Sequence, residues 1–205
     1  MNKKTIIKSI SIACFILSSV VTYGQRKIEY LFPTSSTFNE AETSQLLQTG
    51  TSSIKGNAFL LKKKKPYYTY KGASIILFPV TPYFSEFMEL KKKDKRGKRE
   101  AAMTNDAFAY RVQGRFLDNQ GNFEFTDLMP GKYCIITWIQ FEKQKTVSLQ
   151  TGTSTTYNVY SGNTVSTNPI YSDFTQTYAA EEEVIGYVEI TSNGQIINTV
   201  ISNQK

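Results

Sequence analysis

Histidine is missing from all 205 residues, and the chain carries one tryptophan and two cysteines. Without imidazole there is no Ser-His-Asp or Cys-His nucleophile relay, and most zinc chemistry is lost with it. No glycine-rich phosphate cradle, EF-hand loop or dinucleotide fingerprint occurs either. Neither a metal nor a cofactor is expected, and the chain is read as non-catalytic.

Long apolar runs are also scarce. The main one lies at the start, where Lys3, Lys4 and Lys8 lead into the uncharged stretch Ser9 to Val21, followed by Thr22-Tyr23-Gly24. A positive head, a short apolar middle and small residues before a cut describe a secretory signal peptide, and the run falls short of the ~20 residues that span a bilayer. Residues 1–24 are therefore expected to be removed, leaving no transmembrane span. Cys14 has no Leu three residues before it and sits inside the apolar run, so a lipoprotein start is disfavoured. The order of these residues, with Gln25 after the cut, resembles exported proteins of Gram-negative Bacteroidota. The expected location is the periplasm, the outer membrane or, after secretion, the cell exterior.

Once Cys14 leaves, Cys134 stands alone in the apolar run 133–139, where a buried, unreactive thiol is expected. Trp138 of the same run is read as core. The length left is one domain's worth.

Charge is unevenly spread. The formal net is +7, yet eleven of the 24 basic residues fall in two runs: Lys62, Lys63, Lys64 and Lys65, and then Lys91, Lys92, Lys93, Lys95, Arg96, Lys98 and Arg99. Such runs are commonly solvated loops, but on an otherwise acidic body they also make a local field that steers anionic partners. They are candidate binding residues for an envelope protein or an anionic glycan; nucleic acid does not suit an exported chain. The acidic run Glu181 to Glu183 is read as solvated.

Residues 25–52, rich in Ser, Thr, Asn, Gln and Glu, read as an extended leader. Ile54 to Leu61 and Ser74 to Phe78 have strand character. Phe84, Phe87 and Met88 stand at helical spacing inside a long insertion, residues 83–113. Asn122 to Thr126 alternates apolar and polar, Met129-Pro130-Gly131-Lys132 has type II turn chemistry, and Tyr133 to Ile139 is a strand. Two further strands are expected around a turn at 151–154. Residues 161–205 read as an extension: a polar stretch, then a hairpin about Asn193-Gly194. About seven strands with regular turns indicate an all-β sandwich over residues 53–160.

Gly56 in a first strand, Gly72-Ala73 before a second, and then Asp118-Asn119-Gln120-Gly121-Asn122-Phe123-Glu124-Phe125, Leu128, Pro130-Gly131 and Tyr133 resemble the carboxypeptidase regulatory-like family. The resemblance implies a prealbumin-like β-sandwich used as a structural or interaction module, with those residues as structural positions and no catalytic ones. The competing expectation is a carbohydrate-binding module, with Tyr67, Tyr68, Tyr70 and Trp138 as stacking candidates.

Overall fold

A computed structural model describes residues 28–93 and 99–203; residues 1–24, with the expected signal peptide, and Lys95, Arg96 and Lys98 of the second basic run lie outside them. The described residues form ten strands: β1 (Glu29–Leu31), β2 (Ser52–Lys62), β3 (Lys65–Tyr67), β4 (Ser74–Pro79), β5 (Arg99–Ala101), β6 (Val112–Arg115), β7 (Asn122–Leu128), β8 (Gly131–Tyr157), β9 (Thr164–Ile190) and β10 (Ile196–Ser202). Three helices join them: α1 (Glu40–Leu46), α2 (Pro82–Lys93) and α3 (Asn105–Ala109). The all-β class is as expected; the strand count is higher because the insertion and leader add short strands.

Two four-stranded sheets pack face to face. In one, β10 and β7 pair with β2, which also pairs with β3; in the other the order is β6-β4-β8-β9. Alternation decides which side chains meet between them. Ile54, Ala58 and Leu60 of β2 and Phe123, Phe125 and Leu128 of β7 meet Ile75 and Leu77 of β4, Tyr133, Ile135 and Ile139 of β8, and Val184, Val188 and Ile190 of β9. The alternation of residues 122–126 and the strand opened by Tyr133 predict Phe123, Phe125 and Tyr133 pointing inward from adjacent strands; all three do point inward, but from facing sheets. Tyr133 satisfies its buried hydroxyl by donating to Met129 O at 2.7 Å and Leu46 O at 3.1 Å. A Cβ on Gly56 would sit 2.4 Å from the Phe123 ring, so the first-strand glycine exists to admit that ring.

The even-numbered residues of β8 face the other way and meet a third layer. Thr81 caps α2, accepting from Phe84 N at 3.2 Å through its hydroxyl, and Pro82 occupies the first helical position, where its missing N–H costs nothing. Phe84, Phe87 and Met88 then bury against Ile76, Phe78, Cys134 and Ile136. The helical spacing was therefore a true signal, and Lys91 to Lys93 form the helix's last turn, where cations suit the helix dipole.

Several expectations are corrected. The leader 25–52 is not uniformly extended: β1 pairs in parallel with β5 and α1 is capped by Asn39. The turn at Met129 to Lys132 is not type II, because the left-handed residue is Asp127 (φ 60°) and Gly131 has no positive φ. No turn interrupts residues 151–154; β8 runs on to Tyr157 with a register shift between Gln150 and Gly152, and the reversal comes after it. The stretch 161–180, taken as a polar separator, is most of β9, so a boundary at residue 160 would cut a continuous hairpin. The Asn193-Gly194 hairpin does not form either. There β9 stays with β8, while β10 crosses to the other sheet and pairs in parallel with β2, Ile196↔Ser53 through Ser202↔Phe59. Gly194 has the left-handed φ the turn needs, but Ile201 finds its burial in the sandwich core.

Candidate functional site

Helix α2 covers only part of the outer face of its sheet. Beyond its last turn a cleft of about 390 Å³ remains. Its floor is Ile76, Phe78, Phe87 and Ile136, all buried, and its walls include Met103, Phe108 and Trp138. Trp138 was expected in the core; instead it is 43% exposed, because residue 138 has the outward parity of β8 and α2 does not reach it. The neighbouring inward residue, Ile139, is fully buried.

Four charged side chains stand around this cleft: Lys91, Arg99, Glu100 and Glu183. Glu183 lies directly across the strand pair from Trp138 and binds the Lys91 ammonium; Arg99 pairs with Glu29 at 3.2 Å. Two donors and two acceptors of opposite charge thus flank an indole face and an apolar floor. A larger groove of about 470 Å³ runs past Lys55, Asn57, Glu124 and Asn198, but its aromatic ring, Phe123, is spent on the core.

The candidate binding residues are not brought together. Lys62 to Lys65 form the β2–β3 turn, with Lys63 and Lys64 both left-handed and exposed. Lys62 binds Glu182 and lies 5.4 Å from the centre of the Phe141 ring, while Lys65 lies over Tyr67 at 5.2 Å. Lys93 reaches Glu89 at 4.0 Å, and Lys92 is exposed on α2. Two of the three glutamates read as a solvated run are therefore ion-paired. The tyrosines do not converge on Trp138: Tyr67 packs edge-on to Phe141, Tyr68 lies against Phe59, and Tyr70 is exposed, so none lines the cleft. Gly72 and Gly121 take positive φ at their turns. Asp118 accepts from Gln120 N at 2.9 Å, Asn122 N at 3.2 Å and Asn122 Nδ2 at 2.6 Å, which lowers its carboxyl below the ordinary value, the Asn122 side chain contributing most. In this fold Gly72 and Gly121 stand at turns, and Phe123, Phe125, Leu128 and Tyr133 lie in the core.

One feature, the link through Glu86, had no signal in the reading above. Glu86 of α2 accepts from the backbone N–H groups of Thr34, Ser35 and Ser36 at 2.7–2.9 Å, tying the leader to the helix. Burial among apolar neighbours pushes the Cys134 thiol up to about 12, which agrees with an inert cysteine. Among the described residues no group of three His, Cys, Asp or Glu side chains is placed to hold a metal, and no helix is long and apolar enough to cross a membrane.

No protein-family model and no curated protein matches the chain. Among solved structures it is similar to a Pseudomonas aeruginosa protein described as a putative carbohydrate binding protein, at 16% identity and a TM-score of 0.49, covering 82% of this chain and 99% of the other.

Proposed function

We propose that this protein is an exported, non-catalytic binding module of the bacterial envelope, built on a prealbumin-like sandwich, and that the Trp138 cleft takes a neutral carbohydrate. Export is supported by the order of residues 1–24, and the sandwich by the block from Asp118 to Tyr133. The observation that carries the ligand is the chemistry of the cleft. A purely apolar ligand would strip water from the Lys91–Glu183 and Arg99–Glu29 ion pairs and from Glu100 at the mouth and return no hydrogen bond, at a cost. An anion would meet Glu100 and Glu183 as well as the two cations. A polyhydroxyl ring satisfies both signs, because its hydroxyls donate to the carboxylates and accept from Lys91 and Arg99, while its C–H face lies on the indole. The expected anionic-glycan partner fits this site less well, since each cation there already faces a carboxylate.

Trp138 is the chain's one tryptophan, so its fluorescence reports the cleft directly. Titration with a panel of neutral envelope oligosaccharides should shift or quench the emission saturably. Trp138→Ala should abolish the heat of binding in calorimetry with the fold intact by circular dichroism. A flat emission across the panel at millimolar sugar would sink the carbohydrate reading.

A further inference from the structure

Beyond Phe141, β8 and β9 leave the body as a two-stranded ribbon, residues 142–157 against 164–179. Directly opposed residues share a face, so the register divides the ribbon cleanly. One face carries Val147 opposite Phe174, Leu149 opposite Ser172, Ile170 opposite Gly152, and Tyr178 opposite Lys143. The other carries Thr146 with Thr175 (3.1 Å), Ser148 bonded to Asp173, and Thr155 with Thr167 (3.4 Å), with Tyr171 as its aromatic ring. The apolar face continues the inward face of β8 and β9, with the parity of Ile135, Ile139 and Val184. In the body the β2 sheet covers that face; along the ribbon no described residue does, and Leu149, Ile170, Phe174 and Tyr178 are each more than two-fifths exposed.

We propose that a second copy of this chain supplies the missing layer, the two ribbons packing face to face and antiparallel about a two-fold axis near Leu149. The position of the apolar residues argues for this occupant. Leu149 is midway along the 142–157 strand, and Val147, Phe174 and Ile170 cluster about it. A two-fold axis there lays one apolar centre on the other and sends Lys143 and Lys145, which share this face near the root, to opposite ends. A parallel arrangement would crowd four lysines together. The area suffices: sixteen residues at ~3.3 Å and two strands at ~4.8 Å spacing give roughly 500 Å² per copy. Two copies give on the order of 1,000 Å², the lower bound for a specific interface. A lone two-stranded ribbon is marginal in water, and a second layer removes that weakness. The contact is isologous, as in most homodimers.

Sedimentation of the full gene product purified after export tests this, and it does not depend on the carbohydrate reading, which Trp138 emission follows separately. The expected result is a concentration-dependent dimer. Leu149→Thr with Phe174→Ser should weaken it at least about tenfold, a 1.4 kcal/mol change, without altering Trp138 emission. Should that variant misfold, single cysteines decide. Leu149→Cys should form an intermolecular disulfide under mild oxidation, whereas Ser161→Cys at the ribbon tip should not, because the antiparallel pairing sends the two tips to opposite ends. A monomer at all concentrations, a dimer indifferent to the double substitution, or cross-linking at residue 161 but not 149 would each overturn the proposal, as would a ribbon found occupied by a different protein while the pure chain stays monomeric.

Discussion

Glu182 and Glu183 are neighbours in β9, yet their carboxylates stand on opposite faces of the sheet, one bound by Lys62 of the β2–β3 turn and the other by Lys91 of α2. The two-residue period of a strand makes this unavoidable. Two basic segments nearly thirty residues apart in sequence are thereby tied to the root of one ribbon, from its two sides.

Both pairs are partly exposed, so each should contribute no more than about 1 kcal/mol. Glu182→Gln and Glu183→Gln are expected to shift denaturation midpoints slightly and to add independently. They should differ in binding: Glu183→Gln removes the charge and turns one of two acceptor oxygens beside Trp138 into a donor, and should weaken the sugar titration, while Glu182→Gln should leave it unchanged. Equal effects on the titration would separate Glu183 from the site.

Phe125 is buried between the sheets, its ring edge-on to Phe123 with centroids 5.9 Å apart. Phe125→Ala should cost about 3–5 kcal/mol in chemical denaturation. Gly56→Ala should also destabilise, since the added methyl meets the Phe123 ring; a stabilising or neutral outcome would mean the two sheets are not packed as described.

The three backbone donors hold the Glu86 carboxyl down from 4.5 to about 2, the Ser35 N–H contributing most. A carboxyl whose folded value is depressed contributes stability that is fully present above its unfolded value and is lost as pH falls through the folded one. The link between the leader and α2 should therefore hold at neutral pH and weaken between about pH 4.5 and pH 2. Hydrogen exchange at Thr34, Ser35 and Ser36 should rise, relative to the core, over that window. Glu86→Gln should show the faster exchange already at neutral pH.

Cys134 should resist thiol reagents in the native protein well above pH 9, because burial holds it near 12, and should react at once in denaturant. Prompt native labelling would place it outside the buried layer beneath α2.

The core was legible in the sequence where a pattern had a single reading. Asn122 to Thr126 alternates strictly, and one register alone buries both phenylalanines. Phe84, Phe87 and Met88 repeat at the helical period and form the buried face of α2. Trp138 was misplaced because a run apolar on both faces cannot say which face a neighbouring element leaves uncovered. The ribbon was missed for a related reason: its Thr- and Ser-rich strands have weak alternation, and Thr151-Gly152 looks like a reversal when it is a shift in register. Asn193-Gly194 misled in the other direction. Local turn chemistry was right, but the following strand found more burial beside β2 than beside β9.

The parallel seam between β2 and β10 bears on how the chain reaches its native state. Leu61 and Asn203 exchange hydrogen bonds across 142 residues, so the first long strand waits for a partner that follows it far along the chain. Pairings of such separation are slow to form, and a chain threaded across a membrane from its N-terminus would keep that edge of β2 bare until β10 had followed it across. A bare edge invites pairing with the wrong chain. Products stalled before residue 196 should therefore aggregate or be degraded, and refolding in vitro should be slower and more concentration-sensitive than for an all-β domain of this size closed by local hairpins.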